Sequence, residues 1–203
     1  MTEQGKPGVR RLVVATRNEG KRKELAELLA DLGVEVLSLA DFPEAPEVEE
    51  PYETFAENAA EKATVIARET GEWAVADDSG LVVDALGGEP GVHSSRLAAT
   101  DAERIAWILG HMAQVAEESR QAHFTCVVAL ASPEGLVGEW EGAVQGTIAQ
   151  EPAGTEGFGF DPVFYYPPAG KTFAQMSRQE KSAVSHRGRA LVRFREAFGA
   201  FCE

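Results

Sequence analysis

The stretch RLVVATRNEGKRKELAELLADLG (11–33) reads as strand, loop and helix, and that order sets the fold class. RLVVA (11–15) is a short apolar strand. TRNEG is the loop. After residue 20, Leu25, Leu28, Leu29 and Leu32 recur at the offsets of one helical face. Gly33 supplies the stop signal. The first turn carries Lys21, Arg22 and Lys23. Cations are unfavourable there, because the N-terminal end of a helix is positive and its first N–H groups lack intrahelical partners. Two readings follow. Strand, loop and cationic helix N-terminus can together cradle an anion. Alternatively, the three cations form a solvated face partly compensated by Glu24 and Glu27. The loop is no Walker A sequence, and GKT (170–172) lacks the upstream glycine that such a loop requires.

Outward from this stretch the pattern is mixed. VEVLSL (34–39) is a second strand by alternation and β-branching. ADFPEAPEVEEPYE (40–53) is an acidic, proline-bearing loop. Thr54 and Glu57 form a capping-box pattern opening a helix that Gly71 ends. WAVA (73–76) is a strand that ends at DDSG, and LVVDAL (81–86) either extends it or forms a separate short strand or turn. Thr100 and Glu103 cap a further helix with Ile105, Ile108, Leu109 and Met112 inward. FTCVVALA (124–131) is a buried strand. LVGEWEGAVQGTIA (136–149) reads as two strands with a glycine bend. Ser177 and Glu180 cap a helix, and the last helix presents Leu191, Phe194, Phe198 and Phe201 on one face. Alternation followed by clustered strands predicts a mixed α/β sheet.

The chain has 203 residues and a net charge of −14. That length predicts one domain over residues 11–203, two-lobed at most, after a flexible tail over residues 1–10. The acidity argues against nucleic acid as a partner, because such affinity comes mainly from basic surface. It leaves room for a small polyanion held in a local cationic pocket or through a carboxylate-bound divalent metal. No apolar run has the length of a membrane span, and the N-terminus lacks a secretory apolar region. Cys126 and Cys202 do not make a disulfide framework. A cytoplasmic protein with reduced thiols is expected.

Several short motifs bear chemistry. Phe55, Asn58, Ala59, Lys62 and Ile66 share one helical face. There Asn58 and Lys62 either face a polar ligand or, for Lys62, reach solvent. Asp77 and Asp78 point to opposite faces if strand geometry holds, so one is expected to serve a metal or the chemistry and the other the structure. The same residues are also good turn formers. EVEE (47–50) offers Glu49 and Glu50 as further carboxylates. GFGFDP (157–162) sets Phe158 and Phe160 either as a stacking platform for a base or as core residues. EKSAVSHRGRA (180–190) gathers Lys181, Ser185, His186 and Arg187, with Lys181 and Ser185 on one helix face, suited to phosphate and to base edges. A Ser-His-Asp system, Cys/His metal spacing and a dinucleotide fingerprint are missing. Together the motifs describe a nucleoside triphosphate site with Mg²⁺.

ATRNEGK (15–21), ETFAENAAEKA (53–63), ADDSGLVVDALGGEPGVHSSR (76–96), EPAGTEGFGFDPVF (151–164) and EKSAVSHRG (180–188) resemble, in order, the motifs of the inosine/xanthosine triphosphate pyrophosphatases. The resemblance spans nearly the whole chain. It implies an elongated mixed β-sheet flanked by helices, with two lobes and the active-site cleft between them. It implies hydrolysis of ITP, dITP and XTP to the monophosphate and pyrophosphate, with Mg²⁺, by a homodimer. By the same resemblance Thr16, Asn18, Lys21 and Lys62 contact phosphates, Glu50 and Asp78 hold metal, and Asp78 is the base for water. Ser79 contacts substrate. Phe158, Gly159, Phe160 and Asp161 form the base-side loop, and Lys181, His186 and Arg187 complete the pocket. Arg17 departs from the family's usual glycine in the first loop. The SHR and GFGFDP motifs speak against the related Maf-like pyrophosphatases, and the two carboxylates against a nucleotide sensor that does not hydrolyse.

Overall fold

The computed structural model describes residues 9–17 and 19–202. The expected tail, as far as residue 8, and the phosphate contact expected of Asn18 lie outside the described residues. Val9 is buried, and its N–H donates to Phe201 O at 2.8 Å.

Among the described residues the strands are β1 (Arg11–Val14), β2 (Glu35–Ser38), β3 (Trp73–Val83), β4 (Gln121–Ser132), β5 (Gly135–Ile148), β6 (Phe164–Tyr166) and β7 (Lys171–Thr172). The helices are α1 (Glu19–Leu28), α2 (Phe55–Thr70), α3 (Asp101–His111), α4 (Arg178–Val184) and α5 (His186–Phe198). The strands hydrogen-bond in the order β2-β1-β3-β4-β5-β6-β7. β1 is parallel to β2 and β3, whereas β6 is antiparallel to β5 and β7, so the sheet is mixed as expected.

The chain divides into two compact units. Among the described residues the first comprises 9–17, 19–78, 127–140 and 191–202; the second comprises 79–126 and 141–190. Each has its own core. In the first unit Ala59, Ala63, Ile66 and Ala67 of α2 join Ala74, Ala76, Ala129 and Ala131 of the strands. Small side chains on both surfaces let α2 lie close to β3 and β4, which fixes where Lys62 emerges. The second core is aromatic: Phe124, Phe160, Phe164 and Phe173 pack with Ile108, Met112 and Ile148. The buried Arg120 closes it at one end, donating to Met112 O at 2.7 Å, Ile148 O at 2.7 Å and Ala149 O at 3.0 Å.

Four local expectations change. α1 stops at Leu28, and Leu32 falls in a 3-10 turn over Ala30–Leu32 before Gly33. β3 does not end at DDSG, and the reading in which LVVDAL extends it holds as far as Val83. It continues through Asp77–Gly80 because Leu81 and Val83 are fully buried, and that burial outweighs the turn preference of Asp, Ser and Gly. β5 is one strand of 14 residues rather than two. Its glycines permit contact instead of a bend: a Cβ on Gly142 would lie 2.2 Å from His186 O, and one on Gly146 would lie 2.5 Å from Tyr165 O. Finally, Ser185 closes α4 with φ −70° and ψ 159°, so Lys181 lies on α4 while His186 and Arg187 open α5.

Candidate active site

The first unit assembles a cluster of carboxylates and lysines. Lys62, on α2, places its ammonium 2.6 Å from Glu50 Oε1, 2.9 Å from Asp77 O and 3.9 Å from Asp78 Oδ1. Lys21, in the first turn of α1, donates to Asp77 Oδ2 at 2.9 Å. Thr16 follows β1, with its N–H on Val14 O and its carbonyl accepting from Leu39. The alternation of β3 separates the two aspartates. The Asp77 carboxylate meets Lys21 and that of Asp78 lies near Lys62, as side chains that alternate along a strand can. Glu50 is half-buried against Lys62, whereas Glu49 is exposed.

Asn58, on the same helical face, has a structural task. It is fully buried, accepting from Tyr52 N–H at 3.1 Å and donating to Tyr52 O at 3.2 Å. That reciprocal pair pins the loop 40–53 against α2 and so holds Glu50 near Lys62. An Asn on an otherwise apolar helical face was the sequence signal for such a clamp.

The cluster suits a divalent cation of the Mg²⁺ type. Glu50 and Asp78 already converge on one ammonium group, so their oxygens can share a cation. No group of three or more His, Cys, Asp or Glu forms an all-protein cage among the described residues. A cation held by one or two carboxylates and completed by substrate phosphates needs no such cage.

In the second unit Ser79, half-buried, follows Asp78 on β3. The loop before β6 divides its phenylalanines. Phe158 is 73% exposed, while Phe160 is 3% exposed and belongs to the aromatic core. Thus Phe158 alone matches the exposed platform expected of this loop. Asp161 is buried, pairs with Lys181 and accepts from Phe158 N–H at 2.8 Å. Burial pushes the Asp161 carboxyl above its usual range, Lys181 and the Phe158 N–H oppose that rise, and the charge of Asp101 adds to it. Gly157 has φ +78°, and a Cβ there would lie 2.1 Å from Asp161 Oδ2. Glycine is therefore required where the carboxylate folds back on its own loop.

Lys181 also sits 4.8 Å from the Phe158 ring centroid and 5.6 Å from that of Phe173. His186 stacks on Phe124, with centroids 4.6 Å apart and planes 13° from parallel. Arg187 is half-buried beside it in sequence. Gly159 donates its N–H to Asp101 Oδ2 at 2.7 Å. The sequence marks only the Thr100 and Glu103 cap beside Asp101, and no local pattern announces a partner 58 positions away.

The Ham1 family model matches residues 12–197. A dITP/XTP pyrophosphatase of Geobacter sulfurreducens is 50% identical over 192 residues, covering 93% of this chain and 96% of that protein. The solved HAM1 protein of Coxiella burnetii is 41% identical with a TM-score of 0.88, covering 95% of this chain and all of that one (100%). A nucleoside-triphosphatase and dITP/XTP pyrophosphatase of Mycobacterium abscessus is 44% identical with a TM-score of 0.79, covering 91% and 98% respectively.

Proposed function

The chain belongs to the Ham1 family, and on that premise we propose that it hydrolyses non-canonical purine nucleoside triphosphates (dITP, XTP and ITP) to the monophosphate and pyrophosphate. The observation that carries the reading is the convergence of Glu50 and Asp78 on the Lys62 ammonium, with Lys21 and Asp77 alongside. It supplies phosphate-binding cations and cation-binding carboxylates in one unit.

Glu50 and Asp78 would hold Mg²⁺, whose chemistry is to neutralise charge on the phosphate oxygens. Asp78 orients a water and takes its proton as the water oxygen bonds the α-phosphorus. The bond from that phosphorus to pyrophosphate breaks. Lys21, Thr16 and the N-terminus of α1 bind the departing diphosphate. Lys62 offsets the repulsion between Glu50 and Asp78 before substrate arrives and contacts phosphate afterwards. Ser79 contributes a hydroxyl to the substrate.

In this reading the loop 157–161 and the residues of the SHR motif serve the base. Phe158 offers a stacking face, and Lys181, His186 and Arg187 offer hydrogen-bond donors. Hypoxanthine and xanthine present a 6-keto acceptor where adenine presents an amino donor. Donors aimed at that position reject adenine strongly, because the wrong base leaves them unpaired. We take the enzyme to be cytoplasmic and a homodimer, and light scattering on the purified protein tests the dimer. None of its described helices is long and apolar enough to cross a membrane.

A product assay tests the reaction itself. The protein is incubated with Mg²⁺ and, separately, ITP, dITP, XTP, GTP, ATP and TTP, and the products are resolved by ion exchange. Monophosphate plus pyrophosphate from the keto-purine substrates, with ATP nearly untouched, is expected. Diphosphate plus phosphate would place attack at the γ-phosphorus and sink the mechanism. Binding of ITP without turnover would make the protein a sensor.

A further inference from the structure

Phe158 carries an exposed ring, flanked by Gly157 at φ +78° and Gly159 at φ +61°, with the Lys181 ammonium 4.8 Å from its centroid. Its backbone is held as well. Two consecutive N–H groups are claimed by two carboxylates: Phe158 N–H by Asp161 at 2.8 Å and Gly159 N–H by Asp101 at 2.7 Å. Asp161 is anchored by burial and by Lys181. Asp101 is anchored by Arg104, whose Nη1 donates to its other oxygen at 2.7 Å. Arg104 in turn donates to Ser95 O at 2.6 Å and Ala98 O at 3.1 Å.

The helix does not need Asp101 to begin. Thr100 accepts from Glu103 N–H, and Glu103 accepts from Thr100 N–H, which completes the cap of α3 without it. An aspartate at the first helical position also favours the dipole, but only weakly at an exposed site. The two bonds that Asp101 makes at once, one to Arg104 and one across the chain to Gly159, serve the loop.

We propose that Asp101 is a positioning residue that fixes the pose of Phe158 through the Gly159 N–H and thereby sets the affinity for the purine base. The proposal rests on the reading of the 157–161 loop as the base side of the site. Asp101 never touches the nucleotide. It limits the positions open to a glycine-flanked ring, so the base meets a platform already in place rather than one that must be ordered on binding.

Steady-state kinetics with dITP and XTP test this in D101A, D101N, F158A and the D101A/F158A double variant. Tripolyphosphate, a probe without a base, serves as competitive inhibitor, and circular dichroism checks the fold. D101A is expected to raise KM about tenfold, the scale of one lost charge-assisted hydrogen bond, with kcat within about twofold. The tripolyphosphate inhibition constant should not move. D101N keeps an acceptor oxygen and should recover most of the loss. In the F158A background D101A should add nothing, because its effect passes through that ring. If F158A raises KM and D101A does not, the proposal fails while the base-side reading stands. If F158A leaves KM unchanged, that reading fails and takes the proposal with it. A D101A effect that persists in F158A, or that extends to tripolyphosphate, would show a general structural role and overturn it.

Discussion

Lys62 and Lys181 are both ion-paired to carboxylates, yet the two pairs are built for different ends. Lys62 shares its ammonium between Glu50 and Asp78, which come from a loop and a strand. Replacing that ammonium by another cation would leave both carboxylates in place. In the second unit the carboxylates, paired with Lys181 and Arg104, take backbone N–H groups as well. Asp161 takes the Phe158 N–H and Asp101 the Gly159 N–H, so moving either carboxylate moves the loop. A carboxylate that must exchange one cation for another is held by a side chain. A carboxylate that must hold a shape is tied to the main chain.

The largest effect should come from the exchangeable cluster. Asp78→Asn removes both the proton acceptor and a cation ligand, and turnover should fall about 10³-fold, within the range for a lost general base. Far-ultraviolet circular dichroism should not change. An active Asp78→Asn enzyme would remove Asp78 from the chemistry and break the comparison at its first term. Next comes Lys62→Met. Without its ammonium, Glu50 and Asp78 repel one another and gain more from a divalent cation. Calorimetry without nucleotide should find tighter Mg²⁺ binding, while turnover drops about 100-fold, the scale of one lost preorganised charge. Mg²⁺ affinity that is unchanged or weaker would show that the ammonium and the metal do not share these carboxylates.

The contrast was only half legible in the sequence. Every capping box signalled by Ser or Thr with Glu three residues later opens a helix, because both partners lie within one turn. The box is reciprocal at Thr100 and Ser177, whereas at Thr54 the hydroxyl takes the Glu57 N–H and donates to the Glu57 carboxylate instead. The opposite faces of Asp77 and Asp78 were also readable, since they follow from strand period alone. Long-range tasks were not. That Asp77 answers Lys21, that Asn58 grips Tyr52, and that Asp101 reaches Gly159 all depend on tertiary packing. The glycines of β5 misled for the same reason. A glycine that bends a strand and one that admits a neighbouring backbone look identical until the neighbour, here His186 or Tyr165, is in place. The phenylalanines of GFGFDP posed one choice for two residues, and the fold answered it differently for each.

The loop-holding pair gives the third prediction. Lys181→Met should raise KM about tenfold through loss of a charge-assisted contact, and it should also expose the cost of burying Asp161. Burial already raises that carboxyl above 3.8, and Lys181 is the largest opposing influence. Its loss lifts the folded value further. A raised carboxyl contributes stability below the unfolded value of about 3.8 and loses it as pH climbs through the folded one. The variant's melting deficit should therefore be larger at pH 8 than at pH 5. It should approach the roughly 3–5 kcal/mol that an uncompensated buried charge costs. An equal deficit at both pH values would reduce Lys181 to packing and erase the distinction between the two lysines.

The smallest effect lies one residue away and tests whether α4 helps to present Lys181. Glu180 accepts from Ser177 N–H at 2.8 Å and pairs with Lys171 at 3.1 Å. The Ser177 backbone bond and the Lys171 contact hold its carboxyl at about 2, against 4.5 unfolded. A depressed carboxyl contributes stability above its unfolded value and loses it as pH falls toward the folded one. Glu180→Gln keeps an acceptor for the cap but removes the charge. Wild type should therefore melt slightly above Glu180→Gln at pH 6, and the gap should close as pH falls through 4.5 toward about 2. Other acid-sensitive groups are common to both proteins and cancel in the difference. A gap that stays constant over this range would mean that Glu180 works only as a hydrogen-bond acceptor. Lys181 would then rely on Asp161 and the two aromatic rings, with no help from the charge at the start of its own helix.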